Sequence, residues 1–251
     1  MKKLIVANWK MHYGPVKAGA WIRAFRRERL PKDVDIAVAV PSVSLPAARA
    51  SLGRAGIPAL AAQNVFWAEE GAFTGEVSPS MLAEFGTEYC LVGHSERRAN
   101  LGETDEMISR KVVALIAKGI IPIVCVGESM EDRKLGQAHK IVRTQITAAF
   151  SRVKGEVATE IVVAYEPIWA IGSGKICHPT DVKEMHSMIR TALLKKFPKH
   201  ADRLRVIYGG SVSERNVAEL ASTTNVDGVL VGGASLDPRT FGLICRASSV
   251  A

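Results

Sequence analysis

The chain has 251 residues, of which 47% are hydrophobic, and a formal net charge of +8. A chain of this length can bury one large core, and we expect a single domain over residues 1–251. No stretch approaches the roughly 18 apolar residues that span a bilayer, and the apolar run after Met1-Lys2-Lys3 is too short for a signal peptide. The composition therefore predicts a soluble, cytoplasmic protein with no membrane partner.

The positive charge suggests nucleic-acid binding as one function, because basic proteins bind polyanions. The densest basic cluster, RAFRRER at 23–29, includes Glu28 and has no aromatic platform beyond Phe25. This pattern is typical of a solvated helix face and predicts no nucleic-acid partner. The net charge still favours a small anionic substrate. The four cysteines have no C-x-x-C spacing, which indicates neither a disulfide framework nor a zinc site.

Short runs rich in Val, Ile and Ala recur along the chain, separated by longer segments with helical spacing. Strands are predicted at 4–9, 35–40, 59–64, 89–93, 121–127, 161–166, 204–209 and 226–232. Helical segments are predicted at 15–29, 103–118, 131–152 and 180–196, among others. The strand runs are apolar at nearly every position, which is typical of a parallel sheet covered on both faces. Eight such units predict the α/β class and a closed (β/α)8 barrel. An open doubly wound sheet is disfavoured because no G-x-G-x-x-G follows the first strand.

In a barrel of this kind, functional side chains lie at the carboxyl ends of the strands. Asn8 and Lys10 follow the first predicted strand, His94 follows the fourth, and Glu166 ends the sixth. Glycine pairs end the seventh and eighth, in GGS at 209–211 and GGAS at 232–235. We expect these residues to meet at one rim.

The two glycine pairs predict a phosphate site. Glycine lets backbone N–H groups approach a ligand closely, and a helix that starts just afterwards adds partial positive charge. Strands seven and eight frequently bind phosphate in barrels, and Ser211 supplies a further donor. A single pair would equally fit a plain tight turn. GSGK at 172–175 is not a P-loop, because Trp169 and Ile176 occupy positions that require Gly and Ser or Thr.

The motifs do not predict a metal site. HSE at 94–96 matches the H-x-E of zinc deaminases, but neither the partner P-C-x-x-C nor an H-E-x-x-H motif occurs. The predicted rim also has too few His, Asp and Glu side chains for a divalent ion. We therefore expect chemistry without a metal or other cofactor.

A phosphorylated substrate, one carboxylate and one imidazole indicate proton transfer next to a carbonyl. Glu166 is the candidate general base, and His94, Lys10 and Asn8 are candidate donors to the developing enolate oxygen. Structural alternatives stay open: Glu166 in a surface ion pair, His94 as a core histidine bonded to backbone, and Lys10 as a surface amine.

The segment after Glu166 predicts a lid over the reacting atoms. Pro167 stiffens one hinge, residues 168–171 form an apolar tip, and Gly172 and Gly174 supply backbone freedom. Such a lid excludes water from a reactive intermediate, which matters because an enediolate with a neighbouring phosphate readily eliminates it.

Several motifs along the whole chain are similar to those of a known family: ANWKM (7–11), QNV (63–65), GAFTGE (71–76), LVGHSERR (91–98), CVGE (125–128), AYEPIWAIGSGK (164–175), YGGSV (208–212) and DGVLVGGASL (227–236). In order and from end to end, they resemble the signatures of the triosephosphate isomerases. The resemblance implies a TIM barrel that interconverts dihydroxyacetone phosphate and D-glyceraldehyde 3-phosphate without a cofactor, in glycolysis and gluconeogenesis.

The resemblance also implies residue roles, namely Glu166 as the base, His94 as the electrophile that shuttles a proton between two oxygens, and Lys10 and Asn8 as substrate and oxyanion contacts. In this family the histidine is known to act as a neutral imidazole whose pKa a helix N-terminus lowers, and a helix starting near Ser95 is consistent with that. The implied phosphate contacts are Gly172, Ser211, Gly232 and Gly233.

The resemblance implies a homodimer through the loop at 65–78. Thr74 would then reach the partner's site near Asn8 and Glu96. There are two departures from the family pattern: Ile176-Cys177-His178 is bulky at the second hinge of the lid, and His12 stands where Asn is common. We expect the first departure to affect the lid's kinetics and its protection of the intermediate, and the second to be a surface variation.

Two other functions remain as alternatives. A Schiff-base aldolase would use Lys10 as its nucleophile and would require that amine to be desolvated. A barrel that binds phosphate or nucleic acid without catalysis would account for the positive charge alone.

Overall fold

The computed structural model describes residues 1–53, 56–154, 160–171 and 177–249. Its strands form a closed barrel in which each strand pairs in parallel with its sequence neighbours and the last pairs with the first. The strands are β1 Lys3–Asn8, β2 Val34–Val40, β3 Ala59–Ala62, β4 Tyr89–Val92, β5 Ile121–Val126, β6 Ile161–Tyr165, β7 Leu204–Tyr208 and β8 Gly228–Val231. The predicted TIM barrel is confirmed.

Helices alternate with the strands and cover the barrel. In the described residues they are α1 Pro15–Phe25, α2 Leu45–Leu52, α3 Pro79–Glu84, α4 Ser95–Leu101, α5 Asp105–Ala117, α6 Met130–Lys134, α7 Ala138–Ala149, α8 Pro179–Lys196, α9 Val217–Ser222 and α10 Pro238–Ser248. α1 shows why these segments are helical: Pro15 starts it, and Ala18, Trp21, Ile22 and Phe25 form one buried face. None of the described helices is long and apolar enough to cross a membrane.

The prediction of a single helical segment at 131–152 was wrong. The chain there forms α6 and α7, and Gly136 lies between them with a φ of +67°. A left-handed residue ends a helix, because the next turn cannot continue the right-handed hydrogen-bond ladder. A capping box between Ser129 and Asp132 sets the start of α6.

Apolar side chains alternate along each strand between two layers. Along β1, Leu4 and Val6 belong to the layer that fills the barrel interior. Ile5 and Ala7 belong to the layer between barrel and helices, which also contains helix residues such as Trp21. This arrangement explains why the strand runs are apolar at successive positions. Because the interior is filled with side chains, a small molecule finds room at the rim rather than in a pore.

Candidate active site

A cavity of about 250 Å³ lies at the carboxyl ends of the strands. It brings together the four candidate catalytic residues and three of the four implied phosphate contacts: Asn8, Lys10, His94, Glu166, Ser211, Gly232 and Gly233. Gly172, the other nominated phosphate contact, lies outside the described residues. β1, β4, β6, β7 and β8 each supply part of this lining at or just beyond their carboxyl ends.

A buried carboxylate and a buried imidazole face each other in this cavity. Glu166 is 1% exposed, which is incompatible with the surface ion pair considered from sequence. Its Oε1 lies 3.1 Å from Nε2 of His94. Its Oε2 accepts a hydrogen bond from the backbone N–H of Ser95 at 3.1 Å. The carboxylate therefore has a defined resting position between the ring and the start of α4.

The position of His94 assigns its tautomer. His94 is the N-cap residue of α4, and its Nδ1 accepts a hydrogen bond from the backbone N–H of Glu96 at 3.3 Å. An accepting nitrogen carries no proton, so we place the proton of a neutral ring on Nε2, toward Glu166. The imidazole thus satisfies a backbone group, as the core-histidine alternative assumed, but also presents its other nitrogen to the cavity.

Lys10 is held in an unusual backbone conformation. Its φ is +53°, a region that few non-glycine residues adopt. Its N–H donates to Oδ1 of Asn8 at 3.0 Å, and its carbonyl accepts from Nε2 of Gln63 at 2.9 Å. Gln63 also donates to the carbonyl of Ala39 at 2.9 Å, which ties the turn after β1 to the end of β2. The sequence placed Gln63 only in the QNV motif at the start of the loop implied to contact a partner subunit, and gave it no role at the rim of its own chain.

The side chain of Lys10 is paired within the site. Its Nζ lies 2.5 Å from Oε1 of Glu96, and 28% of the Lys10 side chain is exposed. An ammonium held against a carboxylate is a charged donor. It is a poor amine nucleophile, because a Schiff base requires the neutral form. The arrangement favours the electrostatic role for Lys10 over the aldolase role.

The first glycine pair has a structural function that the sequence did not indicate. A Cβ on Gly209 would lie 2.9 Å from Cγ of Glu166, a distance that real Cβ atoms do not tolerate. A Cβ on Gly127 would lie 1.8 Å from the carbonyl oxygen of the same glutamate. Gly209, from the first pair, and Gly127, just after β5, therefore both make room for Glu166. The only sequence signal for this role was their position at strand ends.

The second glycine pair opens a short helical turn. Gly233–Ser235 form a 3-10 turn, and a Cβ on Gly232 would meet the Lys10 Cε at 3.6 Å. The first N–H groups of such a turn have no partner within it and can donate to an anion. The expected helix start is present at the second pair as this short turn, whereas the first helix after Gly209 and Gly210 is α9, which begins only at Val217. The cradle is made of loop backbone and one short turn.

The described part of the predicted lid packs onto Glu128. Ile168–Ala170 form a 3-10 turn, and Nε1 of Trp169 donates to Oε1 of Glu128 at 2.9 Å. The lid's Gly172 and Gly174, and Ile176 of its second hinge, lie outside the described residues. Cys177 is fully buried, and His178 is the N-cap of α8, where its Nδ1 accepts from the N–H of Thr180. The unusual His178 therefore caps a helix.

The loop nominated for dimer contact lies between β3 and α3. Phe66 stacks on Trp67 with centroids 4.0 Å apart and contacts Phe73 at 4.4 Å. Phe73 is still 45% exposed, and Thr74 is exposed in a turn at the loop's tip. Thr74 is not in the lining of the rim cavity of its own chain.

We searched the other titratable groups of the described residues for a competing metal or thiol site. The described residues contain no group of three or more His, Cys, Asp or Glu side chains able to hold a metal ion. The four cysteines are free and buried, and burial raises the pKa of each thiol: Cys90, Cys125, Cys177 and Cys245. A thiol held protonated is a poor nucleophile or metal ligand.

The fold and this rim define a (β/α)8-barrel protein in which a buried carboxylate and an imidazole are in contact beside glycine turns. Comparison with known proteins shows which family of barrel proteins it is. The family model described as triosephosphate isomerase matches residues 3–248. The chain belongs to the triosephosphate isomerase family.

Curated relatives match along nearly their whole length. The triosephosphate isomerase of Delftia acidovorans is 45% identical over 249 residues, which cover 98% of this chain and 99% of that protein. The enzyme of Carboxydothermus hydrogenoformans is 43% identical over 249 residues, with the same coverage. The enzyme of Streptococcus thermophilus is 44% identical over 242 residues, or 96% of each chain.

Proposed function

We propose that this protein is a triosephosphate isomerase, which interconverts dihydroxyacetone phosphate and D-glyceraldehyde 3-phosphate through an enediolate. The observation that carries the proposal is the contact of 3.1 Å between the Glu166 carboxylate and the His94 imidazole, beside the Gly232 cradle. The enzyme serves glycolysis and gluconeogenesis, and we place that role in the cytoplasm.

Glu166 acts as the general base in this proposal. A carboxylate next to the bound substrate takes the proton from the carbon beside the carbonyl and returns it to the neighbouring carbon. In the resting structure both of its oxygens are engaged, by His94 and by the N–H of Ser95. Substrate must therefore displace these contacts when it binds. The Glu166 carboxylate becomes available as a base only in the complex with substrate.

His94 acts as the acid that polarises the carbonyl. Its Nδ1 is occupied by the backbone N–H of Glu96, so the ring offers only the proton on Nε2. A neutral imidazole can give that proton to one oxygen of the enediolate and recover one from the other. Lys10 and Asn8 supply positive charge and an amide donor for the negative charge that develops on oxygen.

The phosphate group of the substrate would bind at the glycine turns. Ser211, Gly232 and Gly233 line the cavity on the side of β7 and β8, and we assign Gly172 to the same role. Cε of Lys10 lies within van der Waals distance of a Cβ built on Gly232, which brings the lysine to the anion's end of the site. Glu96 fixes the lysine there through their ion pair.

We further propose that the protein forms a homodimer through the loop at 65–78. The exposed ring of Phe73 and the exposed Thr74 lie at the tip of a loop that its own aromatic contacts hold in shape. In this arrangement Thr74 reaches the partner's site near Asn8 and Glu96. A variant with the loop shortened between 68 and 76 should be monomeric by sedimentation and should lose most of its turnover. A fully active monomer would contradict this part of the proposal.

The first test is turnover of D-glyceraldehyde 3-phosphate to dihydroxyacetone phosphate in excess chelator. Glu166→Gln keeps the shape of the side chain and removes the base, so turnover should fall by about 10²- to 10⁴-fold. Glu219→Gln, an exposed glutamate on α9, is the matched control and should keep wild-type turnover. An inactive wild type would refute the isomerase, and an active Glu166→Gln variant would refute the role of this residue.

The same preparation tests the aldolase alternative. Borohydride added with substrate reduces a Schiff base to a stable adduct, which mass spectrometry detects on the lysine. We expect no adduct, because Lys10 is paired with Glu96. An adduct on Lys10 would favour the aldolase.

A further inference from the structure

A second and larger cavity, of about 750 Å³, lies outside the barrel between α7 and α8. Its volume is within the range of roughly 300–1,000 Å³ that small-molecule sites occupy. The buried side chains of Ile146 and Phe150 contribute to its lining, together with Met188 and Ala192 of α8. None of the residues that line the rim cavity lines this one. We call it the α7–α8 groove.

The hydroxyl groups that line the groove are already bonded to backbone. Oγ1 of Thr147 donates to the carbonyl of Arg143 at 2.9 Å, and Oγ1 of Thr191 donates to that of Ser187 at 2.8 Å. Oγ of Ser151 donates to the carbonyl of Ala148 at 2.8 Å. These hydroxyl groups already donate their hydrogen bonds within the protein. An apolar ligand can therefore enter the groove without leaving them unpaired.

Three cations complete the lining. Arg143 lies on α7, and Lys195 and Lys196 lie in the last turn of α8. The described lining contains no Asp or Glu, and none of the three cations forms an ion pair with a carboxylate of the described residues. The two lysines also complement the carboxyl end of their helix, whereas Arg143 stands in the middle of α7. Among the described residues, the groove therefore combines an apolar floor with positive charge that no carboxylate offsets.

We propose that the α7–α8 groove binds a small amphiphilic organic anion, with an aromatic or short alkyl body and one carboxylate, sulfonate or phosphate. The body packs on Phe150, Ile146 and Met188, and the anionic group meets Arg143 or the two lysines. The apolar surface supplies the affinity, and the cations select the charge of the ligand. The groove is separate from the isomerase site and does not depend on that activity.

A fluorescence titration with 1-anilinonaphthalene-8-sulfonate tests this site, because the probe has an aromatic body and one sulfonate. The double variant Lys195→Glu/Lys196→Glu should bind the probe about tenfold more weakly, since two attractions at an exposed site become repulsions. The matched control is Lys140→Glu/Lys183→Glu, which changes net charge equally on the same two helices outside the groove. Equal weakening by both variants, or none by the first, would overturn the proposal.

A second measurement locates the bound probe. With ¹³C-labelled methionine methyl groups, the probe should shift the Met188 signal at saturation and leave the signal of Met11, which is 95% exposed, in place. Ala192→Trp fills the groove and should remove the shift at Met188. A probe that binds without affecting Met188 would also overturn the proposal.

Discussion

Nε2 of His94 lies 3.1 Å from Oε1 of Glu166, so the proposed acid and the proposed base are in contact before any substrate arrives. Each group also accepts a hydrogen bond from a backbone N–H at the start of α4: Ser95 donates to the carboxylate and Glu96 to the ring. One helix start therefore sets the positions of two groups that lie 72 residues apart in the chain. Small displacements of either group should be costly, and the glycine beside Glu166 offers a way to produce one.

Gly209→Ala should lower turnover. The new Cβ would lie 2.9 Å from Cγ of Glu166, and the glutamate side chain is the movable partner in that contact. A displacement of about 1 Å can cost roughly 10²-fold in rate, so we expect a fall in kcat of about 10- to 100-fold. Gly14→Ala is the control, since a Cβ there meets nothing within 4 Å. Steady-state kinetics of the two variants check this, and a Gly209→Ala enzyme with wild-type kcat would contradict it.

Gln63→Leu should raise KM more than it lowers kcat. The substitution keeps the volume of the side chain but leaves the carbonyl of Lys10 without its donor. The carbonyl of Ala39 loses the same side-chain donor but keeps the backbone N–H of Trp9 at 3.2 Å. Unpaired carbonyls cost about 1–3 kcal/mol in stability, and the left-handed turn at Lys10 loses one of its two supports. We expect KM to rise several-fold, because Lys10 lies beside the Gly232 turn that would bind the phosphate. We expect a smaller fall in kcat, because Lys10 also faces the oxygen on which negative charge develops. Gln137→Leu, at an exposed position with no side-chain cap bond, is the control; an unchanged KM in Gln63→Leu would refute the support role.

His186 should make the folded state sensitive to acid. Burial lowers the pKa of His186 from 6.5 to about 4, and the nearby Arg190 charge acts in the same direction. Its ring faces Tyr165 and Tyr208, and its Nδ1 lies 3.1 Å from the carbonyl oxygen of Asn225. The unfolded chain thus binds more protons between pH 4 and 6.5. This contribution to stability is complete above pH 6.5 and is lost as the pH falls toward 4, by roughly 3 kcal/mol in total.

Urea unfolding at several pH values checks the effect of His186. His186→Gln cannot titrate, so its free energy of unfolding should change less than that of the wild type between pH 6.5 and 4. Carboxyl groups with raised pKa values, such as Glu88 and Glu160, contribute equally to both proteins and cancel in the comparison. Identical pH profiles for the two proteins would exclude His186 as the cause.

Arg205→Met should destabilise the other end of the barrel. Arg205 is 5% exposed and contacts Oδ2 of Asp35 at 2.5 Å and Oε1 of Glu160 at 2.6 Å. Its removal leaves two carboxylates near each other without their cation. Because the Asp35 side chain is 35% exposed, we expect a loss below that of a fully buried pair, about 1–3 kcal/mol. Lys140→Met, at an exposed position, should change stability by less than about 0.5 kcal/mol. Thermal unfolding of both variants checks this, and equal melting temperatures would contradict it.

Much of the architecture could be predicted from the sequence because the relevant signals are local. Strand ends fell within two residues of the expected positions, since runs such as DIAVAV alternate between two buried layers and are apolar on both. The rim residues followed from the barrel rule that functional groups come after strands. The break at Gly136 was missed, because a glycine inside a helical pattern is compatible with either continuation or a left-handed stop.

Local patterns in the sequence were enough to predict a (β/α)8 barrel, a rim shared by Asn8, Lys10, His94 and Glu166, and the family that the chain resembles. The relations between distant residues came only from the folded chain: Gly209 against the Glu166 side chain, Gln63 bonded to the Lys10 carbonyl, and the cations of α7 and α8 around one groove. Periodicity and spacing encode which face of an element is buried. Contacts between elements depend on how the closed barrel sets their distances, and no local pattern records that geometry.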